Sequence, residues 1–76
     1  MTEIFFPRLS SKDAGTGVLA TWYVSDGETV TVDQLVAEVA VDKVDAEVRS
    51  PTQGVVRLHV EEGAEVVEGD LIAVVE

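Results

Sequence analysis

The sequence predicts an all-β domain: a flattened barrel or sandwich of two roughly four-stranded antiparallel sheets with pseudo-twofold symmetry. Three observations predict it. Sixteen of the 76 residues are valine, a β-branched residue that suits a half-buried pleated surface. Turn-forming clusters recur at short intervals between the valine-rich runs, the rhythm of a sandwich or barrel. And the second half of the chain repeats the first.

In chain order, Val18 to Val24 alternates, with Val18, Ala20, Trp22 and Val24 expected on one face and Leu19, Thr21 and Tyr23 on the other. Ser25-Asp26-Gly27 turns the chain, a short strand around Val30 follows, and Asp33-Gln34 turns it again. Leu35 to Val41 and Val44 to Val48 read as two strands joined by Asp42-Lys43, with Val44, Ala46 and Val48 on one face and Asp45, Glu47 and Arg49 on the other. Ser50-Pro51-Thr52-Gln53-Gly54 leads into Val55 to Val60, and Glu61-Glu62-Gly63 and Glu68-Gly69-Asp70 bracket a short strand before Leu71 to Val75. The run from Gly17 through Gly27 to Val39 is matched by that from Gly54 through Gly63 to Val75, at an offset of 36 residues from Gly27 onward and 37 at the start. Two such halves bury a face only against each other, which favours a closed duplicated sandwich over a solenoid. Val30, Val39, Val56, Leu58, Val66, Leu71 and Val74 are assigned to the core. Gly27, Gly54 and Gly63 are assigned to turns needing positive φ, and one of Trp22 and Tyr23 is expected inside, the other partly outside. No segment keeps a helical period.

Composition narrows the function. The net charge of −10 disfavours nucleic acid and anionic membrane, both of which need clustered Lys and Arg. With no cysteine there is no disulfide framework or thiolate metal site. The apolar runs are too short to span a bilayer, and Met1 to Phe6 lacks the flank and length of a signal peptide. The single histidine, His59, lies on a solvent-facing strand position and has no second His or Cys with which to hold zinc. Serines 10, 11, 25 and 50 sit in turns with nothing linking them to that histidine. No phosphate-binding glycine loop is present.

What remains is a lysine. The chain has two, Lys12 in a polar N-terminal stretch and Lys43 at the junction of the repeats. A hairpin tip held by two strands displays an amine rigidly. A near-unique amine in that setting, on an acidic and otherwise inert body, suggests a carrier whose attached group supplies the chemistry.

On these residues the chain resembles the lipoyl domain of the acyltransferase component of 2-oxo acid dehydrogenase complexes, pyruvate dehydrogenase among them. Pro7-Arg8-Leu9-Ser10 is similar to the family's opening segment. Asp42-Lys43-Val44 stands where the family has its modification site, and Gly27 and Gly54 match the glycines sixteen before and eleven after the modified lysine. Glu47-Val48-Arg49-Ser50-Pro51, Gly63 and Gly69 fit the rest. The resemblance implies that Lys43 carries lipoate as a swinging arm, that Asp42 and Val44 flank it for recognition, and that Gly27 and Gly54 position it for modification. It implies as partners a lipoate ligase or lipoyl transferase, a thiamin-dependent decarboxylase, an acyltransferase core and dihydrolipoamide dehydrogenase. The expected setting is cytoplasmic, or the mitochondrial matrix in a eukaryote. The domain is expected to span 1–76, to be monomeric and non-catalytic, and to be the N-terminal fragment of a longer chain. Two departures stand out. Ala40-Val41 replaces the common Glu-Thr, whose acidic residue is tied in the family to recognition by the ligase. The Ser10 to Gly17 loop, which in the family helps the decarboxylase select its domain, is about one residue longer than usual.

The alternatives are a biotin carrier, which normally has Met-Lys-Met at the tip, and an unmodified sandwich module such as those of efflux adaptors, in which the lysine has no role. The lipoyl carrier of glycine cleavage is longer and has an added helical portion.

Overall fold

Alternating valines extend the chain, and glycine or aspartate turns it where φ must be positive. The computed structural model describes residues 1–9 and 15–76; Ser10, Ser11 and Lys12 lie outside the described residues. Eight strands result: β1 (Thr2–Phe5), β2 (Thr16–Trp22), β3 (Thr29–Val30), β4 (Leu35–Val41), β5 (Val44–Arg49), β6 (Gly54–Leu58), β7 (Glu65–Val67) and β8 (Leu71–Val75). They form two antiparallel four-stranded sheets, ordered β1-β8-β6-β3 and β5-β4-β2-β7. Advancing each strand of the first sheet by four places, counted cyclically, gives the second. The duplication is therefore a pseudo-twofold axis. No helix is present among the described residues.

The backbone repeats at the same offset. Gly27 has φ 86° and Gly63 φ 85°; Asp33 has φ 65° where Gly69 has φ 92°. The halves interlock reciprocally. Gly27 N–H donates to Val56 O (2.7 Å) and Gly63 N–H to Leu19 O (2.7 Å). Leu58 N–H donates to Asp26 Oδ1 (2.9 Å), and its mate Trp22 N–H to Glu62 Oε1 (2.9 Å). Each half thus satisfies backbone donors of the other that would otherwise be left unpaired.

The core between the sheets holds Phe6, Leu19, Val30, Val36, Val39, Val56, Ile72 and Val75, all essentially sealed from water. Trp22 packs against it and donates Nε1–H to Val60 O (3.1 Å), while Tyr23 is exposed. Four expectations need correction. A register shift between Leu19 and Thr21 changes the parity of β2, so Leu19, Trp22 and Val24 turn inward while Val18 and Ala20 face water. Leu58 and Leu71 are half-buried rather than sealed, Leu58 packing at the margin of the core. His59 is exposed as expected, but lies one residue beyond β6. Gly54 is within β6, not in a turn; it is required because a Cβ there would lie 2.2 Å from Glu76 O.

Candidate functional site: the Lys43 hairpin

The longest uninterrupted pairing in the molecule leads to Lys43. From Ala37↔Val48 the β4–β5 register runs without a shift to Val41↔Val44, leaving only Asp42 and Lys43 in the loop. Such a loop matches strand twist when its first residue takes positive φ. Asp42 does so, at φ 53°, a region that Asp tolerates better than most non-glycine residues. Val39 and Val41, buried on the inner face of β4, anchor the hairpin in the core.

The tip itself leaves the core. Asp42, Lys43, Val44 and Asp45 are all exposed, Val44 at 49%. Val44 therefore shares the Ala46 and Val48 face by parity but not their burial. Among the described residues no carboxylate lies within ion-pairing distance of the Lys43 amine; the two ion pairs are Arg49 with Glu47 (3.0 Å) and Arg57 with Glu76 (2.9 Å). Arg49 also donates from Nη1 to Asp33 O (3.1 Å), so it is committed along β5. Ala40 sits directly across from Asp45 on one side and Val18 on the other.

The hairpin is supported from beneath by Gly17 on β2. A Cβ at Gly17 would lie 2.5 Å from Phe6 Cζ, 2.7 Å from Ala40 O and 2.7 Å from Val41 Cγ2. Sequence reasoning placed Gly17 in the repeat but missed this contact. Its twofold mate is Gly54, which packs in the same way on Val75 and Glu76 O. The axis thus relates the Lys43 hairpin to the paired chain ends, where Glu76 N–H donates to Val55 O (2.8 Å).

Of the residues singled out from the sequence, the structure brings together Asp42, Lys43 and Val44. Gly27 and Gly54 lie instead near each other on the β3–β6 side, Gly27 bonded to Val56 O and Gly54 paired with Val30. Two side chains away from the tip have shifted pKa values. Tyr23 donates its hydroxyl to Glu38 (3.0 Å), and that bond, with the nearby negative charge, raises its pKa from the usual 10.0. The bond to Glu76 raises that of Arg57. Among the described residues no group of His, Cys, Asp or Glu is arranged to hold a metal ion, and no helix is long and apolar enough to cross a membrane.

The site can thus present one amine, without an ion-pair partner among the described residues, on an acidic two-residue tip flanked by Asp42 and Asp45. Comparison with known proteins agrees. The biotin/lipoyl family model, described as "Biotin-requiring enzyme", matches residues 3–75. The dihydrolipoyllysine-residue acetyltransferase component of the pyruvate dehydrogenase complex of Corynebacterium glutamicum is 42% identical over 60 residues, covering 78% of this chain and 9% of that protein. The corresponding component in Staphylococcus aureus is 40% identical over 65 residues, covering 79% of this chain and 15% of that protein. The chain thus spans well under a fifth of the length of these relatives. The solution structure of the lipoyl domain of the 2-oxoglutarate dehydrogenase complex from Azotobacter vinelandii superposes with a TM-score of 0.82 at 30% identity, covering 100% of this chain and 96% of that one. A family match along almost the whole chain and a superposition that covers all of it lead to one assignment: the chain belongs to the biotin- and lipoyl-carrier family and is a lipoyl domain, a non-catalytic carrier of lipoate.

Proposed function

We propose that Lys43 is the residue that carries lipoate, and that the domain moves acyl groups and reducing equivalents within a 2-oxo acid dehydrogenase complex. The observation that carries this reading is the exposed, unpaired Lys43 amine on a two-residue loop between strands in continuous register. The residues fit the group. An amide to lipoate needs a free amine on a projecting turn and open space around it, and the tip offers both. Forming the amide removes one positive charge, taking the domain from −10 to −11. When bound, the dithiolane supplies a two-electron disulfide/dithiol couple and a sulfur that holds an acyl group.

This chain's own part is presentation. The stiff tip aims the arm, Asp42 and Val44 flank the amine for the modifying ligase or transferase, and the acidic surface favours basic docking faces and keeps crowded domains soluble. Gly27 and Gly54 act through the fold that holds the tip. The partners proposed are a thiamin-dependent decarboxylase, an acyltransferase core and dihydrolipoamide dehydrogenase, meeting the arm at raised effective concentration because the parent chain tethers it. The relatives' names favour the pyruvate complex, acting in the cytoplasm or, in a eukaryote, the mitochondrial matrix.

The test is intact mass after incubation with lipoate ligase, lipoate and ATP. One lipoyl addition, mapped to Lys43 and absent from Lys43→Arg, is the expected result. No addition, with a control lipoyl domain loaded in parallel, contradicts the assignment; biotin taken up from biotin ligase in its place would favour the biotin carrier.

A further inference from the structure

The twofold axis relates two turns of the same build, Ser25-Asp26-Gly27-Glu28 and Glu61-Glu62-Gly63-Ala64. In each, the fourth amide donates to the first carbonyl: Glu28 N–H to Ser25 O (3.0 Å) and Ala64 N–H to Glu61 O (3.1 Å). In each, the glycine stands third with positive φ, 86° and 85°, as such a turn requires. The second residue is an acid whose carboxylate caps the other half. Asp26 Oδ1 accepts from Leu58 N–H and Glu62 Oε1 from Trp22 N–H, both at 2.9 Å. The two acids differ by one methylene, and that changes their chemistry.

Attack of the next backbone nitrogen on an aspartyl carboxyl closes a five-membered ring; on a glutamyl carboxyl it must close a slower, six-membered one. A following glycine, with no Cβ, leaves the nitrogen open to make that approach. Asp26-Gly27 is the one Asp-Gly step in the chain, which contains no asparagine. Both residues are exposed, so water reaches them. The folded turn withholds both reacting groups. Gly27 N–H is bonded to Val56 O (2.7 Å) and the Asp26 carboxylate to Leu58 N–H. This turn also has ties that its mate lacks. Glu28 Oε1 accepts Ser25 N–H (3.0 Å), where the mate has Ala64. A Cβ on Gly27 would meet Arg57 Nη1 at 3.2 Å, whereas one on Gly63 would meet nothing within 4 Å. The labile turn is the more tightly held of the two.

We propose that Asp26 is a site of spontaneous isoaspartate formation, controlled by opening of the interlock between the halves. In the open turn Gly27 N, losing its proton, attacks Cγ of protonated Asp26; the new C–N bond closes a succinimide and one water leaves. One water then opens the ring at either carbonyl, giving back aspartate or giving isoaspartate. The net change is an isomerisation that needs no oxidant, reductant or co-reactant beyond water. Isoaspartate adds a methylene to the backbone between 26 and 27 and leaves a carboxylate directly on Cα. The Leu58 cap and the Gly27–Val56 bond then cannot both re-form, so the product records that the domain has opened. The proposal is independent of the reading of Lys43.

The experiment ages the 76-residue domain at neutral pH beside an unstructured peptide covering 23–30. Isoaspartate is counted by methyl transfer from labelled S-adenosylmethionine with an isoaspartyl methyltransferase, and located by electron-transfer fragmentation. Glu28→Ala and Asp26→Glu each copy the twofold mate; sub-denaturing urea opens the turn whatever Glu28 contributes. Amide exchange at Gly27 and Leu58 reports the opening. The expected result is isoaspartate at residue 26, accumulating at least about tenfold more slowly than in the peptide, because two hydrogen bonds must break first. Glu28→Ala and urea should speed exchange and isomerisation together, Glu28→Ala by about fivefold for one lost bond, and leave the peptide's rate unchanged. Asp26→Glu should stay folded by circular dichroism and accumulate none at 26. The aged fraction, separated by ion exchange, should show faster exchange at both amides. Equal rates in domain and peptide overturn the proposal. So does exchange accelerated by urea or Glu28→Ala without faster isomerisation. No isoaspartate at 26 under either opening condition once the peptide has equilibrated, or an aged fraction that keeps both amides protected, overturns it as well.

Discussion

At the scale of single residues, Lys43 is separable from the fold and Gly17 is not. Lys43 is exposed and makes no ion pair among the described residues, so Lys43→Arg is expected to change unfolding free energy by less than about 0.5 kcal/mol while abolishing modification. Gly17→Ala drives a methyl into Phe6, the Ala40 carbonyl and Val41. Overpacking a sealed site costs about 1–3 kcal/mol, and urea denaturation should show a loss in that range, with hairpin amides of β4 and β5 exchanging faster. An unchanged midpoint would mean that the backbone yields at no cost. The contrast explains what the sequence made legible. Lys43 could be found because Asp-Lys interrupts two alternating runs, a local signal. Gly17 could not be given its role, because the atoms that exclude a side chain there come from β4 and from Phe6. Glu68 carried no local signal either: in Glu68-Gly69-Asp70 it reads as a solvated turn residue, and only tertiary pairing with Leu9 and Gly15 buries it.

At the scale of elements, the β4–β5 hairpin is the part on which the rest is measured. Its register was readable from the two-residue turn and the valine parity, since a one-residue slip would put Val39 and Val48 in water. The β2 strand was misread beyond Leu19 because its bulge follows from pairing with β4, not from composition. Strand β1 was not marked at all; Thr2–Phe5 contains no valine, and β8 recruits it. Cross-strand placement also explains how this hairpin accommodates Ala40. A glutamate there would face Asp45 directly, and like charges directly opposite repel. Ala40→Glu should therefore destabilise the domain by roughly 0.2–1 kcal/mol, more at low ionic strength than at high. Asp45→Asn in the same chain should recover most of the loss. Thermal melts at two salt concentrations check this, and a salt-independent loss would point to packing instead of charge.

At the scale of the whole molecule, stability belongs to the interlocked pair of halves. Leu58 is capped by Asp26 and Trp22 by Glu62, and each glycine turn bonds to a strand of the other half. Peptides covering 1–41 and 44–76 are each expected to be unfolded alone by circular dichroism, with strand signal appearing on mixing; a folded half would contradict the account of the twofold. That architecture was legible because the repeat recurs at a nearly constant offset, and two half-sandwiches have only each other to pack on. The hydrogen bonds from Leu9 and Gly15 N–H to the buried Glu68 carboxylate were not, since they join segments more than fifty residues apart. The same architecture supplies a two-sheet body from which the β4–β5 hairpin presents Lys43, which is what a carrier requires. The most direct test of that claim is mass spectrometry of the Lys43 peptide from the domain produced in cells grown with and without lipoate. The account predicts a lipoyl-amide on Lys43 that depends on lipoate supply and leaves Lys12 unmodified. A Lys43 peptide that stays unmodified in lipoate-replete cells, while the host's own lipoyl domains are loaded, would contradict it.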